Sequence, residues 1–307
     1  MKILITGGAG FIASHIVDSY LAAGHEIAVL DNLSTGKRGN LPAGIRLFEV
    51  DISDAAAVRA AVLEYGPEMI SHHAAQVSVV VSVSDPTSDA SRNIIGTINV
   101  LEAAAAAKVK RVIYASSGGT VYGVPEHLPA AETAAIDPQS PYALSKFTGE
   151  QYLRMYARLR GFEATVLRYS NVYGPRQDPH GEAGVCAIFS ERLHLGQEVK
   201  IFGDGSQVRD YVFVSDVTAA NLAALTSPAG TYNIATGAGT STRTVFDTVA
   251  NAVHYAGQPQ MMPARPGEIQ AIILDPSLAK KTLGWEPKTS FAEGIAQTAA
   301  WYVAKQA

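Results

Sequence analysis

The stretch SPYALSK, Ser140 to Lys146, sets a tyrosine and a lysine four residues apart behind a proline. Residues at that spacing adjoin on any helix, so a plain surface pair and a proton-transfer pair share this signature. A free tyrosine, with a pKa near ~10, is a weak base at neutral pH, and lowering it by about three units takes roughly 4 kcal/mol. A lysine ammonium ~4 Å away, at an effective dielectric of about 20, supplies about that much. Tyr142 is therefore a candidate phenolate base, with Lys146 as its charge partner.

A second constellation opens the chain. In ILITGGAGFIA an apolar strand runs into glycines and then into a helix. Gly7 and Gly10 allow a tight turn close to a pyrophosphate, and the amides of Phe11 and Ile12 begin the helix that meets its charge. Ala13 stands where a third glycine is common and still permits close packing. The second strand ends in LDN, with Asp31 placed 21 residues after Gly10 to accept from a ribose hydroxyl, and Asn32 beside it. A carboxylate there repels a 2′-phosphate, so NAD is the expected dinucleotide rather than NADP. Asp51 and Ile52, closing the third strand, are candidate contacts to the adenine edge.

These residues need a scaffold, and the pattern supplies one. Strands are expected over 2–6, 26–30, 46–50, 69–71, 111–115 and 164–168, and helices over 11–23, 55–64, 94–107 and 142–159. Alternating strands and helices with uninterrupted apolar strands predict an α/β fold, a Rossmann-type doubly wound parallel sheet. From about Asn171 the rhythm breaks into turn-rich stretches. The expected organisation is a dinucleotide-binding domain over 1–170 with the Tyr/Lys helix, and a smaller irregular α/β substrate lobe over 171–307, some of whose segments return to the main sheet.

The bulk numbers exclude other classes. A net charge of −4 with no Lys/Arg-dense run gives no reason to expect nucleic acid. No apolar run is long enough to span a membrane, and MKILITGG reads as a strand rather than a leader. One cysteine, Cys186, rules out a disulfide framework and a cysteine metal site, and is compatible with a cytoplasmic protein.

Together TGGAGFIA, LDN, HHAAQ, SSGGTVYG, SPYALSK and RYSNVYGPRQ resemble an extended short-chain dehydrogenase/reductase of the nucleotide-sugar branch, the UDP-glucose (UDP-galactose) 4-epimerase family above all. The resemblance implies an isomerase in which a tyrosine takes the proton of the sugar 4-hydroxyl. A transient 4-keto sugar then turns over, and NAD is regenerated in each cycle. Tyr142 and Lys146 carry over to that chemistry. The resemblance places His73, Ala74, Ala75, Gln76, Asn93, Ser116 and Tyr169 along the cofactor. The adjacent His72 and His73 are expected to pack there, with no metal.

The family's substrate-bonding serine or threonine aligns with Gly118, so Ser117, or else Thr120, is left to supply that hydroxyl. Glycine and threonine at 119 and 120 argue against the 4,6-dehydratase branch, which needs an acidic pair there. For the UDP-sugar the resemblance implies Asn171 and Val185, Lys200 and Phe202 at the uracil, and Tyr211. Arg209 and Arg265 would hold the diphosphate, and Glu268 the ribose. Arg176 is open between phosphate and a structural pair. Ile272 falls where bulk excludes an N-acetyl group; being smaller than tyrosine, it leaves some UDP-N-acetylhexosamine activity possible. Asp178 follows VYGPRQ where a uronate enzyme has arginine, which ranks a UDP-uronate lower.

The alternatives are a UDP-N-acetylhexosamine or UDP-uronate 4-epimerase, another NAD-dependent nucleotide-sugar oxidoreductase, and a non-catalytic dinucleotide sensor. Family resemblance also implies a homodimer through the helices carrying Asn93 and Tyr142.

Overall fold

Strand residues that are apolar on both faces build the centre of the fold. The computed structural model describes residues 1–180, 184–265 and 269–306. In chain order come Lys2–Thr6 (β1), Phe11–Ala22 (α1), Glu26–Leu30 (β2), Arg46–Phe48 (β3), Ala55–Tyr65 (α2) and Met69–His72 (β4). Val79–Ser84 (α3), Pro86–Ala90 (α4), Gly96–Ala106 (α5), Arg111–Ser117 (β5), Gly118–Val121 (α6), Pro141–Arg160 (α7) and Glu163–Tyr169 (β6) follow. The rest is Asn171–Tyr173 (β7), Val185–His194 (α8), Lys200–Phe202 (β8), Val208–Phe213 (β9), Val214–Ala224 (α9) and Gly230–Ile234 (β10). Gly239–Ser241 (β11), Thr242–Ala252 (α10), Gln260–Met262 (β12), Ala271–Ile272 (β13), Ser277–Leu283 (α11) and Phe291–Gln306 (α12) close the series.

The main sheet has seven strands in the order β10-β6-β5-β4-β1-β2-β3, all neighbours parallel. The two-residue period sends Ile3, Ile5 and Val29 to one face, against α1 and α9. Leu4, Ala28 and Leu30 go to the other, against α2, α5 and α7. The sheet is thus wound on both sides, and the strand order reverses between β1 and β4. A crevice outside the carboxyl ends of the strands is the usual ligand site at such a switch.

Local signals fix the helices. Ser140 Oγ accepts from Ala143 N at 3.2 Å, Pro141 occupies the first turn, and Gly161 ends α7 in the left-handed region at φ 79°. At the start of α2, Asp54 accepts from Ala57 N at 3.0 Å. The helix expected over 94–107 begins differently. A π turn at Ser91–Ile95 precedes α5, and Asn93 within it is buried. The wider turn points that side chain inward, a distortion frequent at functional sites.

The C-terminal half contributes more than an appended lobe. Its strand β10 forms the edge of the main sheet beside β6, and α9 packs on the α1 face. A separate aromatic core around Tyr173, Phe189, Tyr211, Phe213 and Phe246 lies among α8, α10 and α12. Among the described residues no helix is long and apolar enough to cross a membrane.

Candidate active site

Two turns and a helix meet at the carboxyl end of the sheet. The first follows β1. Gly7 has φ +69°, and a Cβ there would stand 2.6 Å from Ala74 N in the turn after β4. Only glycine allows both the left-handed backbone and that approach. Gly10 caps α1 without any side-chain bond, which leaves the first amides of the helix, Phe11 and Ile12, to be met from outside. Asp31 is 7% exposed; its carboxylate accepts from Ala9 N at 2.9 Å and Leu33 N at 2.8 Å. A Cβ at Gly36 would lie 3.0 Å from both of its oxygens, so the bare glycine leaves the free edge of that carboxylate open. Asn32 donates to Asp51 at 2.6 Å, and Ile52 is buried under Gly96. A glycine cradle, an uncapped helix start and an uncrowded carboxylate fit a dinucleotide.

The second turn follows β4. Asn93 Oδ1 accepts from Gln76 N at 2.8 Å, while its Nδ2 donates to Gln76 O at 2.9 Å, a two-point hold on the backbone beyond Ala74 and Ala75. Thr6 Oγ1 receives the amides of His73 and Ala74, and Thr97 Oγ1 donates to Asn93 O. Thr6 therefore gives its proton to His72 Nδ1 at 2.7 Å, and His72 Nε2 donates to Thr97 at 3.1 Å. The buried ring is neutral and fully bonded, as its strongly lowered pKa, from burial first and Lys146 second, requires. His73 pairs with Ser71 at 2.9 Å and stacks on Tyr169; burial, then Lys146, takes it down to about 3.

The third element is α7 against β5. The Tyr142 phenol lies beside the Ser117 side chain at the end of β5. Lys146, one turn on and 4% exposed, lies with Nζ 4.6 Å above the Tyr114 ring. Burial opposes the charged form of both groups. Burial pushes Tyr142 up to about 12, the Ser117 side chain lowering it and Asp89 raising it further. Burial likewise pulls Lys146 down to about 8, against Glu150 and Asp89. The polypeptide alone therefore leaves the phenol protonated. A positive charge placed beside the phenol would favour its ionised form.

Behind the pair sits an ionic knot absent from the sequence reading. Glu150, two turns beyond Tyr142 on the same helix face, has no solvent exposure. It takes both ends of the Arg168 guanidinium at 2.9 and 2.7 Å, Arg154 at 3.0 Å and Ser116 Oγ at 2.6 Å. The Ser116 hydroxyl thus turns to Glu150. The i, i+4, i+8 row Tyr142, Lys146, Glu150 was the available signal.

Gly118 shows why the family hydroxyl is missing here. A Cβ at that position would collide with Leu274 Cδ1 and meet Arg168 O at 3.2 Å. Leu274, fully buried, fills the volume that a serine would need. Gly118→Ser is expected to destabilise the protein by about 1–3 kcal/mol through overpacking. Adding Leu274→Ala should recover stability relative to either single variant, as thermal unfolding would show. A double variant no better than the singles would refute the pairing.

Other expected substrate residues are placed as follows. Asn171 Oδ1 lies 3.5 Å from where a Gly119 Cβ would be, at the same sheet end. Val185 starts α8, whose cap Gly184 makes no side-chain bond. Lys200 is exposed on β8, and Arg265 stacks its guanidinium 3.8 Å over the Phe202 ring. Arg209 donates to Val208 O at 2.8 Å. Glu268 lies outside the described residues.

Four further positions are placed by their packing and pairing. Tyr211 is 7% exposed with its ring against Tyr173 and Phe291, a core position rather than an open face. Ile272 is 3% exposed among Val121, Tyr122 and Leu274, so its size opens no free space for an N-acetyl group. Arg176 pairs with Asp18 at 2.7 Å, the structural alternative. Asp178 pairs with Lys37 at 3.0 Å, and Lys37 N bonds Ala9 O in the glycine turn. Lys37 stands there as its counter-charge in a half-exposed pair.

The comparisons converge. Residues 3–235 match the family described as NAD dependent epimerase/dehydratase. The chain is 46% identical to the UDP-glucose 4-epimerase of Mycolicibacterium smegmatis over 98% of each chain. It superposes on the Thermotoga maritima UDP-glucose 4-epimerase crystallised with UDP-glucose at TM-score 0.98, with 45% identity and full coverage of both chains. For the Thermus thermophilus UDP-glucose 4-epimerase in complex with NAD, the values are 0.94 and 48%, over 99% of each.

Proposed function

We infer the reaction from kinship and geometry together: this chain belongs to the NAD dependent epimerase/dehydratase family. It is an isomerase that interconverts a UDP-hexose at C4, UDP-glucose and UDP-galactose, with NAD as resident cofactor. One observation carries the assignment of roles: a tyrosine and a buried lysine one turn apart on α7, beside Ser117, together with a glycine cradle that fits a dinucleotide. The bound NAD supplies hydride acceptance and return at the sugar carbon, and its pyridinium supplies the positive charge.

The chain's own groups do the rest. Tyr142 takes the proton of the sugar 4-hydroxyl and later gives it back. Ser117 holds the phenol oxygen, and its hydroxyl is free to turn between phenol and sugar oxygen. Lys146 donates into the same space from one turn further along α7. Gly7, Gly10, Phe11 and Ile12 line the pyrophosphate, and Asp31 and Asn32 the adenosine ribose. Asp51 and Ile52 face the adenine. Asn171, Val185, Lys200, Phe202, Arg209 and Arg265 form the uridine diphosphate side, with the Arg265 guanidinium exchanging the Phe202 ring for phosphate oxygens.

Exposed Ile95 and Leu144, on the segments carrying Asn93 and Tyr142, together with Leu159 at the far end of α7, support a homodimer through these helices. The single buried cysteine is compatible with a cytoplasmic setting. The test is direct. Purified enzyme incubated with UDP-galactose should yield UDP-glucose with no net NADH, while UDP-GalNAc and UDP-galacturonate turn over more slowly. Net NADH, or conversion of only one of the latter two, would replace this reading with an oxidoreductase or another epimerase.

A further inference from the structure

One more carboxylate is buried against α7. Asp89, in α4, has no solvent exposure. Gln76 Nε2 and Asn93 Nδ2 donate to its Oδ1, each at 2.9 Å, and Ser145 Oγ to its Oδ2 at 2.6 Å. These donors come from three different segments: the turn after β4, the π turn and α7. The two oxygens accept three bonds and give none, the pattern of an ionised group. Among the described residues no lysine or arginine forms an ion pair with Asp89.

The nearest cation in sequence to its α7 partner is Lys146, the residue after Ser145, which lies within electrostatic reach of Asp89. Around that amine, α7 presents Tyr142 and Glu150, β4 presents His72, the turn after it His73, β5 presents Tyr114, and α4 presents Asp89. Two guanidinium groups already neutralise Glu150. Both histidines are held neutral by burial, and burial also pushes the Tyr114 phenol up. Asp89 is the negative charge left without a partner of its own.

We propose that Asp89 is a positioning residue which locks these three segments together, keeps Lys146 as an ammonium and restrains ionisation of Tyr142. The proposal rests on the epimerase reading above. Its direction agrees with the electrostatics, since Asp89 raises both the amine and the phenol.

Asp89→Asn tests it with the shape retained. The amide oxygen still accepts from Gln76 and Asn93, and the Ser145 hydroxyl rotates to accept from the new NH2. Losing one negative charge lowers both pKa values together, so both groups give up their protons more readily. The bell-shaped pH profile of kcat/KM should therefore slide toward acid by about one pH unit with its width kept. Ser145→Ala removes a bond but no charge, so its profile should not move along the pH axis. A readout without turnover is the ultraviolet phenolate absorbance of the holoenzyme, taken as the difference from Tyr142→Phe in the same background; its midpoint should shift by the same amount. Should the Asn variant not accumulate folded, Asp89→Ser carries the same test. A variant profile that superimposes on the wild type, or an equal shift in Ser145→Ala, overturns the proposal. A wild-type protein without epimerase activity would sink the functional reading instead, and the phenolate titration would still judge Asp89.

Discussion

Tyr142→Phe should lower kcat for UDP-galactose by about three orders of magnitude, within the ~10²–10⁴ that a positioned proton-transfer group contributes. The variant keeps the ring and its packing and loses only the hydroxyl that meets Ser117. Bound NAD and the unfolding midpoint should therefore stay as in the wild type, separating chemistry from folding. Rates are to be read from product formation, with released nucleotide quantified after denaturation. Ser117→Ala should cost less, because it removes a partner of the phenol rather than the proton carrier. A Phe variant with near wild-type turnover would show that another group abstracts the proton.

The second large effect concerns stability. Arg168→Met leaves Glu150 without its two-point partner in a fully buried site. Breaking a buried pair from one side costs about 3–5 kcal/mol, because the remaining charge stays desolvated. Arg154 still reaches Glu150, so the lower part of that range is expected. Replacing both partners, Arg168→Met with Glu150→Leu, should recover much of the loss, a non-additivity that chemical denaturation measures directly. Additive losses in that cycle would mean that the pair contributes by shape and not by charge.

Much of the framework was legible. The strands at 2–6 and 26–30 emerge with the bounds their apolar runs suggest, because fully buried parallel strands carry no competing pattern. The glycine turn and its aspartate were legible for a related reason: a short turn and a fixed strand length leave few residues that can occupy those places. What escaped depends on contacts distant in sequence. Asp89 sits in PTSDASRN, which reads as a helix start after Asp85-Pro86, and nothing local says that Ser145 will close on it. Leu274 lies 156 residues from Gly118, so the exclusion of a serine there could only be seen in three dimensions. The charge balance of the Tyr142–Lys146 pair was legible only in part, for a further reason. Spacing gives proximity, whereas the size of a desolvation penalty depends on everything packed around the pair.

The placing of β10 beside β6 bears on how the chain acquires its shape during synthesis. When residue 170 has left the ribosome, six strands of the main sheet are available, and β6 is a bare edge with unpaired amides and carbonyls. The strand that covers it begins sixty residues later, at Gly230. At ~5–20 residues per second this edge stays open for about 3–12 s, a window in which a nascent chain can pair with the wrong neighbour. Truncation at the apparent break in the sequence pattern would make that window permanent.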